Sequence, residues 1–367
     1  MLKIPFLNLY LQYRAIKKEI DSAIQKVIED SAFSGGKYVA KFEKQFAKYI
    51  GIKYAVGVNS GTSALHLALV ALGIGKGDEV IMPGNTFIAT VWAVSYVGAK
   101  PVFVDCNPDT WQIDETRVKG QISNKVKAII GVHLFGQPFD IEKVLRICRK
   151  HKLYLIEDCA QAHGAIYKGI KVGSYGDLAC FSFYPGKNLG AYGEAGAVLT
   201  NNARYAERMS RLRNHSSVKK YQHNEIGFNM RMDGIQAAVL SIKLKYLDKW
   251  NRRRKEIANI YRTKIINPLI KMQYQPSGSE SAYHLFVVTS KNRDKFIKFL
   301  KKNGIEALIH YPIPCHLQQA YQDLGYKRGD LPVTEEFAEN CVSLPIYPEL
   351  EKQAINKICQ VVNRYEG

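Results

Sequence analysis

Between residues 54 and 200 the chain repeatedly sets down a short apolar run, then a stretch with helical periodicity, then another apolar run. No other feature limits its fold so tightly. The apolar runs cover residues 55–58, 79–82, 101–104, 126–132, 153–156, 178–183 and 195–200. Helical patterns fill residues 62–71, 86–96 and 140–151. Strands apolar at successive positions cannot keep one face in water, so they predict a sheet covered on both sides. Helices between strands return the chain for parallel pairing. The expected class is α/β, a mostly parallel central sheet flanked by helices.

At 367 residues the chain exceeds one ordinary hydrophobic core, so two domains are expected. Residues 1–50 read as an arm and a helix with Phe42, Phe46 and Ile50 at helical spacing. One long helix is predicted from 233 to 262, and a polar connector holding Pro and Gly follows at 267–281. Then come a strand at 285–289, a helix at 294–303, a strand at 305–310 and a final helix at 349–364. The boundary is placed near 245. Residues 1–245 then form the arm and large domain, and 246–367 a smaller α+β domain.

Composition narrows the function classes. With 46% hydrophobic and 23% charged residues the chain reads as a folded globular protein rather than a disordered one. No apolar run is long enough to span a bilayer and the N-terminus has no apolar signal core, so no membrane partner is expected. Seven scattered cysteines without a C-x-x-C pair argue against disulfides and structural zinc and for a reducing cytoplasm, with no metal expected. The net charge of +19 fits nucleic acid, attraction of a small anionic substrate, or a dispersed lysine surface. The densest cluster, Arg252-Arg253-Arg254-Lys255, reads as one solvated helix face. No nucleic-acid motif accompanies it, so no nucleic-acid partner is expected.

In an open α/β sheet, ligands collect beyond the carboxyl ends of the strands. Lys187 falls there, in a Pro-Gly turn between two apolar runs (Cys180-Phe-Ser-Phe-Tyr-Pro-Gly-Lys187-Asn-Leu-Gly190). Desolvation disfavours its ammonium form, so the amine can serve as a base or a Schiff-base nucleophile. Asn59-Ser60-Gly61-Thr62-Ser63 opens a helix whose cap is Ser60 or Asn59; the N–H groups of Gly61 and Thr62 form a phosphate cradle. Asp158, at the end of a buried strand, needs a cation or several donors, and a protonated pyridine nitrogen would serve. Gln161, one turn on, can donate to a ring oxygen. Ser182 can reach the same phosphate, and Phe87 can lie flat on a ring. Pyridoxal 5′-phosphate uses all four: a dianion cradle, a stacking face, an acid for the ring nitrogen and a lysine for the aldehyde.

These residues, in this order, resemble the sugar aminotransferases of the DegT/DnrJ/EryC1/StrS family. The resemblance runs from Pro5-Phe6-Leu7 to Leu344-Pro345-Ile346-Tyr347-Pro348, with matching stretches at 59–65, 132–138, 157–165, 181–196, 227–238 and 310–314. It implies the fold-type-I architecture and a Schiff base between Lys187 and pyridoxal 5′-phosphate. It also implies that Asp158 pairs with the pyridine nitrogen, Gln161 meets the ring hydroxyl, Phe87 stacks, and Gly61, Thr62 and Ser182 bind the phosphate. Asn229 would reach the phosphate of a neighbouring subunit's cofactor, which implies a homodimer with active sites at the subunit interface.

Tyr184, His310 and Tyr311 are the expected substrate contacts. Glu194 and Ser216 depart from the family pattern, at positions expected to lie away from the cofactor. The segment from Tyr184 to Gly190 resembles members that aminate C3, whereas C4-aminating members more often carry histidine in place of Tyr184. The implied reaction moves an amino group from L-glutamate to C3 of a dTDP-3-oxo-6-deoxyhexose, gluco preferred over galacto. The products are a dTDP-3-amino-3,6-dideoxyhexose and 2-oxoglutarate. A UDP-3-oxo uronic acid, or a 4-keto-6-deoxy sugar aminated at C4, is the alternative substrate.

Overall fold

Seven strands form the central sheet of the computed structural model, which describes residues 3–219 and 221–367. Their spatial order is Tyr54–Val58, Gly196–Thr200, Leu178–Ser182, Tyr154–Asp158, Val126–Val132, Glu79–Pro83 and Lys100–Val104. Every pairing is parallel except the two made by Gly196–Thr200, which runs against both neighbours. Side chains alternate between two cores, as a period of two demands. Ile129, Leu155 and Phe181 enter one, with Phe42 and Phe46 from the Gly36–Ile50 helix. Ile130, Ile156 and Cys180 enter the other, with Leu65, Val91 and Met82. The sheet is therefore dry on both faces.

The C-terminal elements build a second layer. Lys271–Met272, Phe286–Thr289 and Cys341–Leu344 make a three-stranded antiparallel sheet. It packs with the helices Leu247–Lys264, Arg293–Lys302 and Lys352–Asn363 around Tyr261, Phe296, Leu300, Ile355 and Ile358. Ile4 joins this cluster and bridges to Ile305, so the start of the chain lies against the C-terminal elements.

Four expectations need correction. The helix over 233–262 is two helices, Gly234–Leu244 and Leu247–Lys264. At the break the N–H groups of Lys245 and Tyr246 reach back only three residues, to Ile242 and Lys243. Residues 305–310 form no strand: Ile305 pairs with Ile4 and Leu308 with Ser343. Two different partners cannot make one ladder, and Pro312 and Pro314 have no N–H to extend it. The strand expected at 153–156 runs on to Asp158, which pairs with Val132 and Cys180. Finally, the basic cluster is not one solvated face. Arg254 points inward and is buried, while Arg252 and Lys255 are exposed.

Candidate active site

The loop between Leu178–Ser182 and Gly196–Thr200 crosses the carboxyl end of the parallel strands and carries Lys187. Phe183 and Ala195 hold its two ends together (Phe183 N to Ala195 O, 2.7 Å), and Ala191 N donates back to Phe183 O at 2.8 Å. Gly190 lies so close to Pro185 that a Cβ there would stand 2.2 Å from the Pro185 carbonyl oxygen, so only glycine fits. Asn188 Nδ2 donates to Asn251 Oδ1 (2.9 Å) and Ala282 O (2.8 Å), fastening the loop to the layers beneath. The lysine is thereby held by its backbone, and its side chain projects into a cavity of about 690 Å³.

Asp158 lines the same cavity. Its Oδ2 accepts from Thr90 Oγ1 at 2.8 Å and its Oδ1 from Ala160 N at 3.1 Å, while Thr86 Oγ1 lies 2.9 Å from Thr90 Oγ1. Burial pushes the Asp158 carboxyl up, against these hydrogen bonds and the charge of Lys187. Burial also pushes the Lys187 amine down, to about 8, with Asp158 opposing. Among the described residues neither group has a salt-bridge partner. A buried carboxylate that accepts from two neutral donors and touches no cation fits a protonated heteroaromatic nitrogen.

The phosphate cradle is built as a close approach of strand to helix. Ser60 caps the Gly61–Ala71 helix, its Oγ accepting from Ser63 N at 3.0 Å. A Cβ on Gly61 would stand 2.5 Å from Ser182 Cβ, so the glycine lets Ser182 lie beside the helix start. Gly61, Thr62 and Ser182 all face the cavity, and first-turn N–H groups have no intrahelical acceptor. The donor set suits a dianion.

Gln161 is fixed at both ends: Oε1 accepts from Phe135 N at 2.6 Å, and Nε2 donates to Tyr311 Oη at 3.1 Å. Its second amide hydrogen remains for a ring oxygen. Phe87 is 48% exposed and lies 5.3 Å from the Tyr311 ring, which leaves a face open for stacking. His310 Nδ1 meets Ser343 Oγ at 2.8 Å, and burial, followed by Lys187, pushes its imidazole down to about 4. Tyr184 is exposed at the mouth.

Asn229 stands apart. It is exposed, bridges to Asn214, and does not line this cavity. Glu194 corrects an expectation, for it lines the cavity: the pairing of Ala195 with Phe183 returns the residue before it to the rim. Ser216 is buried at φ +51, a backbone state that favours glycine, and does not line the cavity.

The sequence reading missed Thr90, His284 and Arg254, which also line the cavity. Arg254 was legible. It sits on the stripe Trp250, Ile257, Ala258, Tyr261, the buried face of its helix. His284, pushed well down by burial and then by Lys187 and Arg254, carries no periodic signal. Behind the site, atoms of His133, Glu157 and Cys159 lie within 4.8 Å of one another. Glu157 is already saturated there, by His133 and the N–H groups of Gly173, Tyr175 and Gly176.

Comparison with known proteins agrees with this geometry. The pattern of the DegT/DnrJ/EryC1/StrS aminotransferase family matches residues 14–363. A dTDP-3-amino-3,6-dideoxy-alpha-D-galactopyranose transaminase of Aneurinibacillus thermoaerophilus is 47% identical over 362 residues, 99% of each chain. The crystal structure of S. venezuelae DesV in complex with a ketimine intermediate superposes with a TM-score of 0.97 at 42% identity, covering 99% of this chain and 98% of that one. That of NtdA from Bacillus subtilis with bound cofactor PMP gives 0.92 at 31% identity, over 99% and 85%.

Proposed function

The chain belongs to the DegT/DnrJ/EryC1/StrS aminotransferase family, and on that premise we propose that it uses pyridoxal 5′-phosphate to move an amino group from L-glutamate to C3 of a dTDP-3-oxo-6-deoxyhexose. The observation that carries the reading is one cavity lined by both a buried amine and a buried carboxylate that feel each other's charge yet form no salt bridge with each other or with any described residue. Lys187 would hold the cofactor covalently, Asp158 its ring nitrogen, Gln161 its ring oxygen, and Gly61, Thr62 and Ser182 its phosphate. Phe87 would cover one ring face. When bound, the cofactor supplies an aldehyde that carries nitrogen between substrates and a ring that accepts electrons.

The chain's own residues supply the rest. An amine brought down to about 8 is partly neutral at pH 7, so Lys187 Nζ can take a proton from the donor's α-carbon and return it. Asp158, held by Thr90 and Ala160, keeps its charge aimed at one place. Tyr184, His310 and Tyr311 line the cavity and would meet the sugar. Phe6, Leu7, Trp92, Leu308 and Ile346 line it as well, a wall suited to a 6-deoxy methyl group. Glu194 at the rim would repel a uronate carboxylate, which favours the deoxyhexose over a UDP-3-oxo uronic acid.

We place the working unit as a homodimer, with Asn229 serving the neighbouring site, and the domain division at 245/246, within the helix break. Seven free, buried thiols support a reducing cytoplasm. The sequence reading prefers the gluco epimer, whereas the 47% identical relative is named for a galacto product. Both epimers therefore enter the assay. Turnover of a dTDP-3-oxo-6-deoxyhexose with L-glutamate, its product stereochemistry read by NMR, tests the proposal. Product only from UDP-3-oxo uronic acids or from 4-keto sugars would overturn it.

A further inference from the structure

Arg254 is a charge on the cavity wall that the reaction above does not use. It is 4% exposed on the inward face of the Leu247–Lys264 helix and lines the same cavity as Lys187. Its Nη1 donates to Ile346 O at 2.7 Å, Tyr283 O at 3.2 Å and His284 O at 3.3 Å. Nε is sealed and has no partner. Nη2 donates to nothing among the described residues and is not sealed, so it is the donor left for the cavity.

The local charge is out of balance. Arg254 feels Glu349, but so does the buried Lys243, and burial pushes the Glu349 carboxyl up. His284, beside Arg254, is pushed well down by burial and then by Lys187 and Arg254. A guanidinium taken out of water calls for an anion unless its charge is met, and carbonyl dipoles meet it only in part.

We propose that Arg254 receives a carboxylate of the amino-acid donor and so selects the donor of the first half-reaction. This rests on the aminotransferase reading, but not on the identity of the sugar. The same Nη2 donors would suit the diphosphate of a nucleotide sugar, and the test separates the two anions.

Holoenzyme is titrated by calorimetry with glutarate, a dicarboxylate that lacks the amine, and separately with dTDP. The L-glutamate half-reaction is followed by cofactor absorbance with no sugar present. Arg254→Lys should weaken glutarate and raise the half-saturating L-glutamate concentration by roughly tenfold or more, and Arg254→Met by roughly a hundredfold. Cofactor loading should stay at the wild-type level and the limiting rate should move far less. Unchanged half-saturation would overturn the proposal. So would a fall in loading and limiting rate alone, as a mere carbonyl clamp requires, or weakening of dTDP in place of glutarate. Should either variant fail to fold, the wild type still decides: glutarate must compete with L-glutamate, and absence of competition at saturating glutarate refutes the assignment. The glutarate and L-glutamate arms contain neither nucleotide nor keto sugar, so a wrong sugar assignment leaves their result readable.

Discussion

Glu157 and Asp158 are consecutive on one buried strand and face opposite sides of the sheet, yet their chemistry diverges. Glu157 is fully enclosed. Burial alone would raise its carboxyl, but His133 at 3.0 Å and the N–H groups of Gly176 and Gly173 outweigh that and hold it low. Asp158 has two neutral donors, and burial wins. The two buried lysines repeat the contrast. Both amines are pushed down to about 8 by burial. Lys243 spends its donor on Gly190 O at 2.5 Å, beside the Tyr192 ring at 5.2 Å. Lys187 has open space before it. A perturbed ionisation is therefore common to the closed and open faces. What separates them is the missing partner.

Substitutions on the open face should remove chemistry and spare the fold, and those on the closed face should do the reverse. Lys187→Ala is expected to have the largest effect, lowering turnover by about 10⁴-fold and abolishing covalent cofactor retention while the melting temperature holds or rises. Activity assays and absorbance check it. Asp158→Asn should cost about 10²–10³-fold in turnover. Glu157→Gln should instead destabilise by about 3 kcal/mol, read by denaturant unfolding, because it breaks a buried, fully bonded pair.

Their pH dependence should also be opposite in the cofactor-free protein. The Glu157 carboxyl is lowered on folding, so its stabilisation is present above the ordinary carboxylate range and lost as pH falls through the folded value. The Asp158 carboxyl is raised, so its contribution is full at low pH and lost as pH rises through its folded value. Asp158→Asn should thus stabilise the cofactor-free protein at neutral pH. Melting curves across pH that run parallel for the two variants would break the contrast.

Thr90→Val removes a donor that lowers the Asp158 carboxyl. The acid limb of the rate profile should shift to higher pH with a loss of roughly tenfold or less. The smallest effect on turnover is expected from Lys243→Met. It leaves Gly190 O unsatisfied and costs about 1–3 kcal/mol of stability, with cofactor absorbance retained.

Periodicity carried most of the fold. Apolar runs marked all seven sheet strands, because a strand buried on both faces has no other way to be written. It did not carry direction: nothing in residues 195–200 says that Gly196–Thr200 runs antiparallel, since that follows from the short return after Lys187. The site residues legible in the sequence stand at strand ends or helix starts, where a lone Lys, Asp or Gly breaks a pattern. Thr90 and His284 were not legible, because a hydroxyl or imidazole inside an ordinary element breaks none. Arg254 was legible only through the apolar stripe it shares with Trp250, Ile257 and Tyr261, since its sequence neighbours Arg252, Arg253 and Lys255 are charged as well.

Reduction of the holoenzyme with borohydride, followed by peptide mass mapping, tests the central claim most directly, because two buried amines are pushed down alike and only Lys187 lines the cavity. The account predicts the pyridoxyl mass on the peptide containing Lys187 and on no other. The mass on Lys243, or no covalent adduct at all, would contradict it.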